Sequence, residues 1–163
     1  MIVVLMGVTG SGKTTIGSLL AKRMQTVFAD ADSYHSAANK AKMAAGHPLN
    51  DDDRQPWLES LNTLLKGWLA EGGGGVLACS ALKESYRTTL ISGMPVGSFA
   101  FVLLDGSKEL IAERLAERHN HYMNPKLLDS QFATLETPKN ALRVLNDRAP
   151  EEVVNEMMKH MKA

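Results

Sequence analysis

The sequence contains one cysteine, Cys79, set in an apolar run, so no intramolecular disulfide can staple the fold and a reducing compartment fits. Charge imbalance is also missing. Lys plus Arg and Asp plus Glu both number 18, which leaves no global field to attract a polyanion and argues against nucleic acid as a partner. No apolar run approaches the length of a membrane span. The opening stretch Ile2-Val3-Val4-Leu5-Met6 lacks a basic flank and stops at a glycine loop, so it reads as a buried strand. A cytoplasmic protein with no membrane partner is expected. Repeats, low-complexity tracts and linkers are absent too, and 163 residues at 44% hydrophobic suffice for one substantial core, hence one domain over 1–163.

What is present is an alternation of short apolar runs with longer segments of helical period, the pattern of an α/β protein whose parallel sheet is covered on both faces. Strands are expected at 2–6, 26–30, 75–79, 98–104 and 142–146. The clearest helix is 54–71, where Trp57, Leu58, Leu61, Leu64, Leu65, Trp68 and Leu69 recur at three- and four-residue spacing behind Pro56; that stripe reads as core. Further helices are expected at 13–24, 34–45, 83–91, 107–119, 125–135 and 150–162.

Gly7-Val8-Thr9-Gly10-Ser11-Gly12-Lys13-Thr14 satisfies G-x-x-x-x-G-K-[ST] directly after an apolar strand and before a helical run. In that context the loop amides and the helix dipole make a cradle for phosphate, Lys13 reaches the β- and γ-phosphates, and Thr14 offers its hydroxyl to Mg²⁺. With Thr15 these residues form the expected nucleotide site. A guanine-reading Asn-Lys-x-Asp string is lacking, since Asn39-Lys40-Ala41-Lys42 has no aspartate and lies in the wrong third of the chain. A kinase fits better than a GTP-dependent switch. The second strand ends in Asp30 and Asp32, whose i, i+2 spacing places both carboxylates on one side of an extended chain facing the ligand crevice. One could hold a water of the metal shell and the other accept the proton of an attacking hydroxyl, although a helix-capping role competes for each. His35, Asn39 and Lys42 follow at spacings of four and three and are expected on one polar helical face.

Several longer strings are more specific. Asp30-x-Asp32-x-x-His35, Asn39-x-x-Lys42-Met43, Gly46-x-Pro48-Leu49-Asn50-Asp51-Asp52-Asp53-Arg54-x-Pro56-Trp57, Cys79-Ser80-Ala81-Leu82-Lys83 with Tyr86-Arg87, and Ser130-Gln131-Phe132-x-x-Leu135-Glu136 closely resemble the gluconate kinase family, over a match that runs to about residue 138. The resemblance implies transfer of phosphate from ATP, with Mg²⁺, to the 6-hydroxyl of D-gluconate. It also implies a homodimer and a P-loop three-layer α/β/α fold with five parallel strands in order 2-3-1-4-5. By the same resemblance Asp30 serves the metal water shell and Asp32 the acceptor hydroxyl.

An acceptor with one carboxylate and five hydroxyls needs cations and polar partners. Arg54 and Arg87 are candidates for a carboxylate clamp, while His35, Asn39 and Lys42 could read hydroxyls. Arg114 and Arg118, four apart and followed by a polar break before the next helix, suit a helical lid around 114–128 that closes over the phosphates. His119 and His121 have no acidic or cysteine partner at ligand spacing, so Mg²⁺ is the one metal expected. The alternatives are a kinase of another small hydroxy acid, such as shikimate, and a regulatory module that binds nucleotide without turnover.

Overall fold

The computed structural model describes residues 1–8, 11–116, 125–138 and 141–161. The five apolar runs become strands β1 (Ile2–Met6), β2 (Val27–Asp30), β3 (Gly75–Ala78), β4 (Phe99–Asp105) and β5 (Leu142–Leu145). They form one parallel sheet in the order β2-β3-β1-β4-β5, the order that the resemblance implies. Between them run α1 (Lys13–Met24), α2 (Ala37–Ala44), α3 (Asp51–Ala70), α4 (Glu84–Leu90), α5 (Lys108–Ala116), α6 (Pro125–Thr134) and α7 (Pro150–Met161).

The central strand explains the layering. Every residue of β1 is buried, as expected of a parallel strand covered on both faces. Its side chains alternate. Ile2, Val4 and Met6 enter a core with Trp57, Leu58, Leu61 and Leu65 of α3, whereas Val3 and Leu5 enter a second core with Ile16 and Leu20 of α1 and Val153, Val154 and Met157 of α7. The sheet's order switches on either side of β1, which pairs with β3 and with β4. The crevice at the carboxyl end of the strands therefore opens where the glycine loop leaves β1. Among the described residues no helix is long and apolar enough to cross a membrane.

Most boundaries fall within about a residue of the expectation, and two helix starts differ by three. The helix expected over 34–45 starts at Ala37, because Asp30 accepts from the Asp32 amide, winds 31–34 into a 3-10 turn, and Ser36 then caps α2 by accepting from the Asn39 amide. His35 thus precedes the helix. The helix expected from 54 starts a turn earlier at Asp51, through a capping box in which Asn50 accepts from the Asp53 amide while the Asp53 carboxylate accepts from the Asn50 amide. Pro56 consequently lies inside α3, where the i→i−4 bond to the Asp52 carbonyl cannot form.

Candidate active site

The site begins at the glycine loop. Lys13 is the first residue of α1, and its ammonium folds over the loop, donating to the Gly7 and Val8 carbonyls at 2.9 and 3.0 Å. Ser11 is buried, and its amide donates to the Val8 carbonyl at 3.2 Å, which keeps the loop curled. Thr14 and Thr15 are exposed on the first turn of α1. Thr9 and Gly10 lie outside the described residues.

Asp30 at the end of β2 and Asp32 in the 3-10 turn that follows close the other side, so the extended chain expected to carry both carboxylates stops at the first. Thr14 Oγ1 donates to Asp30 Oδ2 at 3.1 Å, so a hydroxyl and a carboxylate meet beside the phosphate loop. These are hard oxygen donors of the kind that suit Mg²⁺. Asp32 remains open to the crevice, but protein packed around its carboxylate reduces hydration and, with the negative charge of Asp30, raises its pKa above the ordinary value. Lys13 and His35 pull in the opposite direction and are outweighed.

Behind Asp32 the residues expected to read an acceptor do come together, although by another route than one helical face. His35 stacks on Trp57 with ring centroids 4.2 Å apart, and Trp57 Nε1 donates to the Ala31 carbonyl at 2.7 Å, fixing the ring below the 3-10 turn. Burial lowers the His35 pKa, against the attraction of Asp32, so the neutral imidazole is favoured. Asn39 Nδ2 donates to the Asp53 carbonyl at 2.8 Å and lies 3.4 Å from His35 Nδ1. Lys42 Nζ pairs with Asp53 Oδ2 at 2.6 Å, and this bond together with the Asn50 amide holds the Asp53 carboxyl below its usual pKa. Asp53 therefore caps α3 and ties it to α2 at once.

A second polar group surrounds Tyr86. Its hydroxyl donates to Asp51 Oδ1 at 2.6 Å and accepts from Arg54 Nη1 at 3.2 Å, while Lys83 Nζ approaches Asp51 Oδ1 at 3.3 Å. Arg54 and Lys83 each lie 5.5 Å from the Tyr86 ring centroid. These cations keep Asp51 ionised, with its pKa lowered first by the Tyr86 bond and then by Lys83. Arg54 is half-buried here and retains donors beyond the Tyr86 contact, which suits a clamp.

Arg87 is placed differently. It is buried, and its guanidinium donates to the carbonyls of Ala81 at 2.8 Å, Leu82 at 3.3 Å and Glu136 at 2.8 Å. In this arrangement it braces the segment after β3, where Ala81 takes a positive φ of 44°, against the segment after α6. Arg114 falls on α5, but its side chain and all of Arg118 lie outside the described residues, as does most of the lid expected around 114–128.

Three further residues shape the site, none of them among the site residues expected from the sequence. Trp57, whose spacing marks it as core, does join the core, and it also shapes the wall beside Asp32 through its ring face against His35 and its indole N–H on the Ala31 carbonyl. Asp53 could have been found from Asn50 and its N3 position, which spell a capping box. Asn146, at the end of β5, donates from Nδ2 to the Ser11 carbonyl at 2.6 Å; no local pattern links residues so far apart.

A curled glycine loop with its lysine at a helix start, opposite a strand-end pair of carboxylates on a 2-3-1-4-5 sheet, defines a P-loop small-molecule kinase, and the shikimate kinase family model matches residues 9–162. Within that class the chain belongs to the gluconokinase family. It is 49% identical over 142 residues to a probable gluconokinase of Dictyostelium discoideum, covering 85% of this chain and 71% of that one. It is 42% identical over 164 residues to the gluconokinase of Gluconobacter oxydans, covering 98% and 90%. The crystal structure of a gluconokinase from Sinorhizobium meliloti superimposes with a TM-score of 0.88 at 38% identity, covering 99% and 91%.

Proposed function

We propose that this kinase phosphorylates the 6-hydroxyl of D-gluconate with ATP, giving 6-phosphogluconate and ADP. The observation that supports the mechanism is the placement of Asp32 on the turn capped by Asp30, whose carboxylate meets Thr14 beside the phosphate loop; Lys13 and His35 are near enough to act on the Asp32 charge, and burial raises its pKa. In this reading Asp32 accepts the proton of the attacking hydroxyl, and a base of raised pKa is better matched to an alcohol than an ordinary carboxylate is. Lys13 and the loop amides hold the transferring phosphate. Arg54 clamps the acceptor carboxylate, and His35, Asn39 and Lys42 line its hydroxyls, while Arg87, expected beside Arg54 in the clamp, braces the wall through three backbone carbonyls. Thr14 and Asp30 would hold Mg²⁺, directly and through a water respectively; when bound it offsets the negative charge of the phosphates.

The reading treats 1–163 as one catalytic domain, with Arg114 and Arg118 on a lid, a homodimer as the assembly and the cytoplasm as the compartment. Support for these comes from spacing and family likeness. The test of function is ADP release with Mg-ATP against D-gluconate, shikimate, L-idonate and glycerate. A site that hydrogen-bonds each hydroxyl can reject an analogue lacking one by as much as about 10⁴–10⁵. Turnover with gluconate far above the others is expected, and turnover with shikimate in its place would overturn the acceptor.

A further inference from the structure

We infer that Asn146 is a positioning residue for the phosphate loop, aiming one of its amides at the nucleotide from the far end of the chain. The inference depends on the loop being the nucleotide cradle, and not on which acceptor is phosphorylated.

The geometry is direct. Asn146 is buried, and its Nδ2 donates to the Ser11 carbonyl at 2.6 Å across 135 residues of sequence. Only the nitrogen of the side-chain amide can face a carbonyl oxygen at that distance, so the orientation of the amide is fixed by its partner. Asn146 is itself held by its backbone, whose N–H donates to the Asp105 carbonyl at 2.8 Å and so extends the pairing of β4 with β5 by one residue. The side chain therefore projects from the rigid end of the sheet. It also lies against Gly12, whose φ is +96°; a Cβ at position 12 would run into Asn146 Nδ2. Glycine is required there twice over, for its backbone conformation and for the approach of this side chain.

The consequence follows from the planarity of the peptide. In the trans Ser11–Gly12 unit the carbonyl and the next N–H point in opposite directions. Holding the Ser11 oxygen toward Asn146 turns the Gly12 N–H to the opposite side, away from β5, as a loop that presents its amides to phosphate needs. Without the Asn146 donor, this peptide could rotate and bring an oxygen where an N–H is needed. Donors fixed before the anion arrives are worth more than donors that must reorganise.

The test is binding of Mg-ADP by calorimetry, with no acceptor present, to wild type, Asn146→Ala and Asn146→Asp. Loss of one hydrogen bond should weaken Asn146→Ala by about 3–10-fold. Asn146→Asp, nearly isosteric but with an oxygen facing the Ser11 oxygen, should weaken binding by more than about 10-fold. KM for the acceptor should stay within about twofold in both, because the acceptor residues are untouched. Unchanged ADP affinity in either folded variant overturns the inference, as does equal loss in ADP affinity and acceptor KM. Should both variants fail to fold, the wild-type protein decides by NMR. Slow exchange of the Asn146 side-chain amide together with a large shift of the Gly12 amide on adding ADP supports the inference, and a freely exchanging side-chain amide overturns it. Wild type that binds no ADP would instead remove the nucleotide reading itself.

Discussion

On the proposed mechanism Asp32 is the proton acceptor, and its raised pKa then has two consequences with opposite signs. In that role the ionised form is the active one, so kcat/KM for gluconate should rise with pH through a limb displaced upward from the ordinary aspartate value. Stability runs the other way. A carboxyl whose folded pKa is raised binds its proton more tightly when folded, and the benefit present at low pH is lost as pH rises through that value. Asp32→Asn should therefore lower turnover by roughly 10²–10⁴ while Mg-ADP still binds and Tm at pH 7 is equal or higher. A Tm well below wild type would contradict the assignment. Asp30 and Asp32 were legible as a carboxylate pair at the end of an apolar run, but not their geometry: the extended chain expected to put both on one side ends at Asp30, and Asp32 lies in the 3-10 turn that Asp30 caps. Asn146 was not legible, since nothing short of the folded sheet brings β5 to the phosphate loop.

Secondary-structure elements reveal where local rules suffice. Strand β1 and helix α1 have the expected bounds, because the apolar run and the helical period on either side of the glycine motif point one way. The start of α2 departs, because two competing side-chain caps, Asp30 on the Asp32 amide and Ser36 on the Asn39 amide, divide one polar stretch into a 3-10 turn and a helix. Arg87 illustrates the same limit. An arginine beside a crevice reads as a clamp, and only the fold reveals three carbonyls within its reach. Arg87→Ala should accordingly destabilise the protein by about 1–3 kcal/mol, as buried acceptors lose their donor, read from the midpoint of urea unfolding. An unchanged midpoint with a large rise in gluconate KM would favour the clamp instead.

At the scale of the molecule, two cores share one sheet, and the central strand feeds both. That β1 is a buried strand was readable from its apolar run, but the allocation of its faces to α3 or to α1 and α7 depended on topology, which came from family likeness rather than from periodicity. Leu61, fully buried in the α3 core, offers a check: Leu61→Ala should cost about 2–5 kcal/mol in equilibrium unfolding and leave the shape of the pH–activity profile unchanged. The helix that carries this core also carries both tryptophans. Trp57 stacks on His35 at the crevice, whereas Trp68, three turns along, packs beside Gly75 at the opposite end of the sheet. An imidazole in face contact with an indole changes the indole's emission when it gains a proton or a new hydrogen-bond partner. The protein thus has an intrinsic fluorophore at the wall proposed to face the acceptor and a second, remote one as an internal reference, so adding gluconate should change the emission of Trp57 and leave that of Trp68 unmoved.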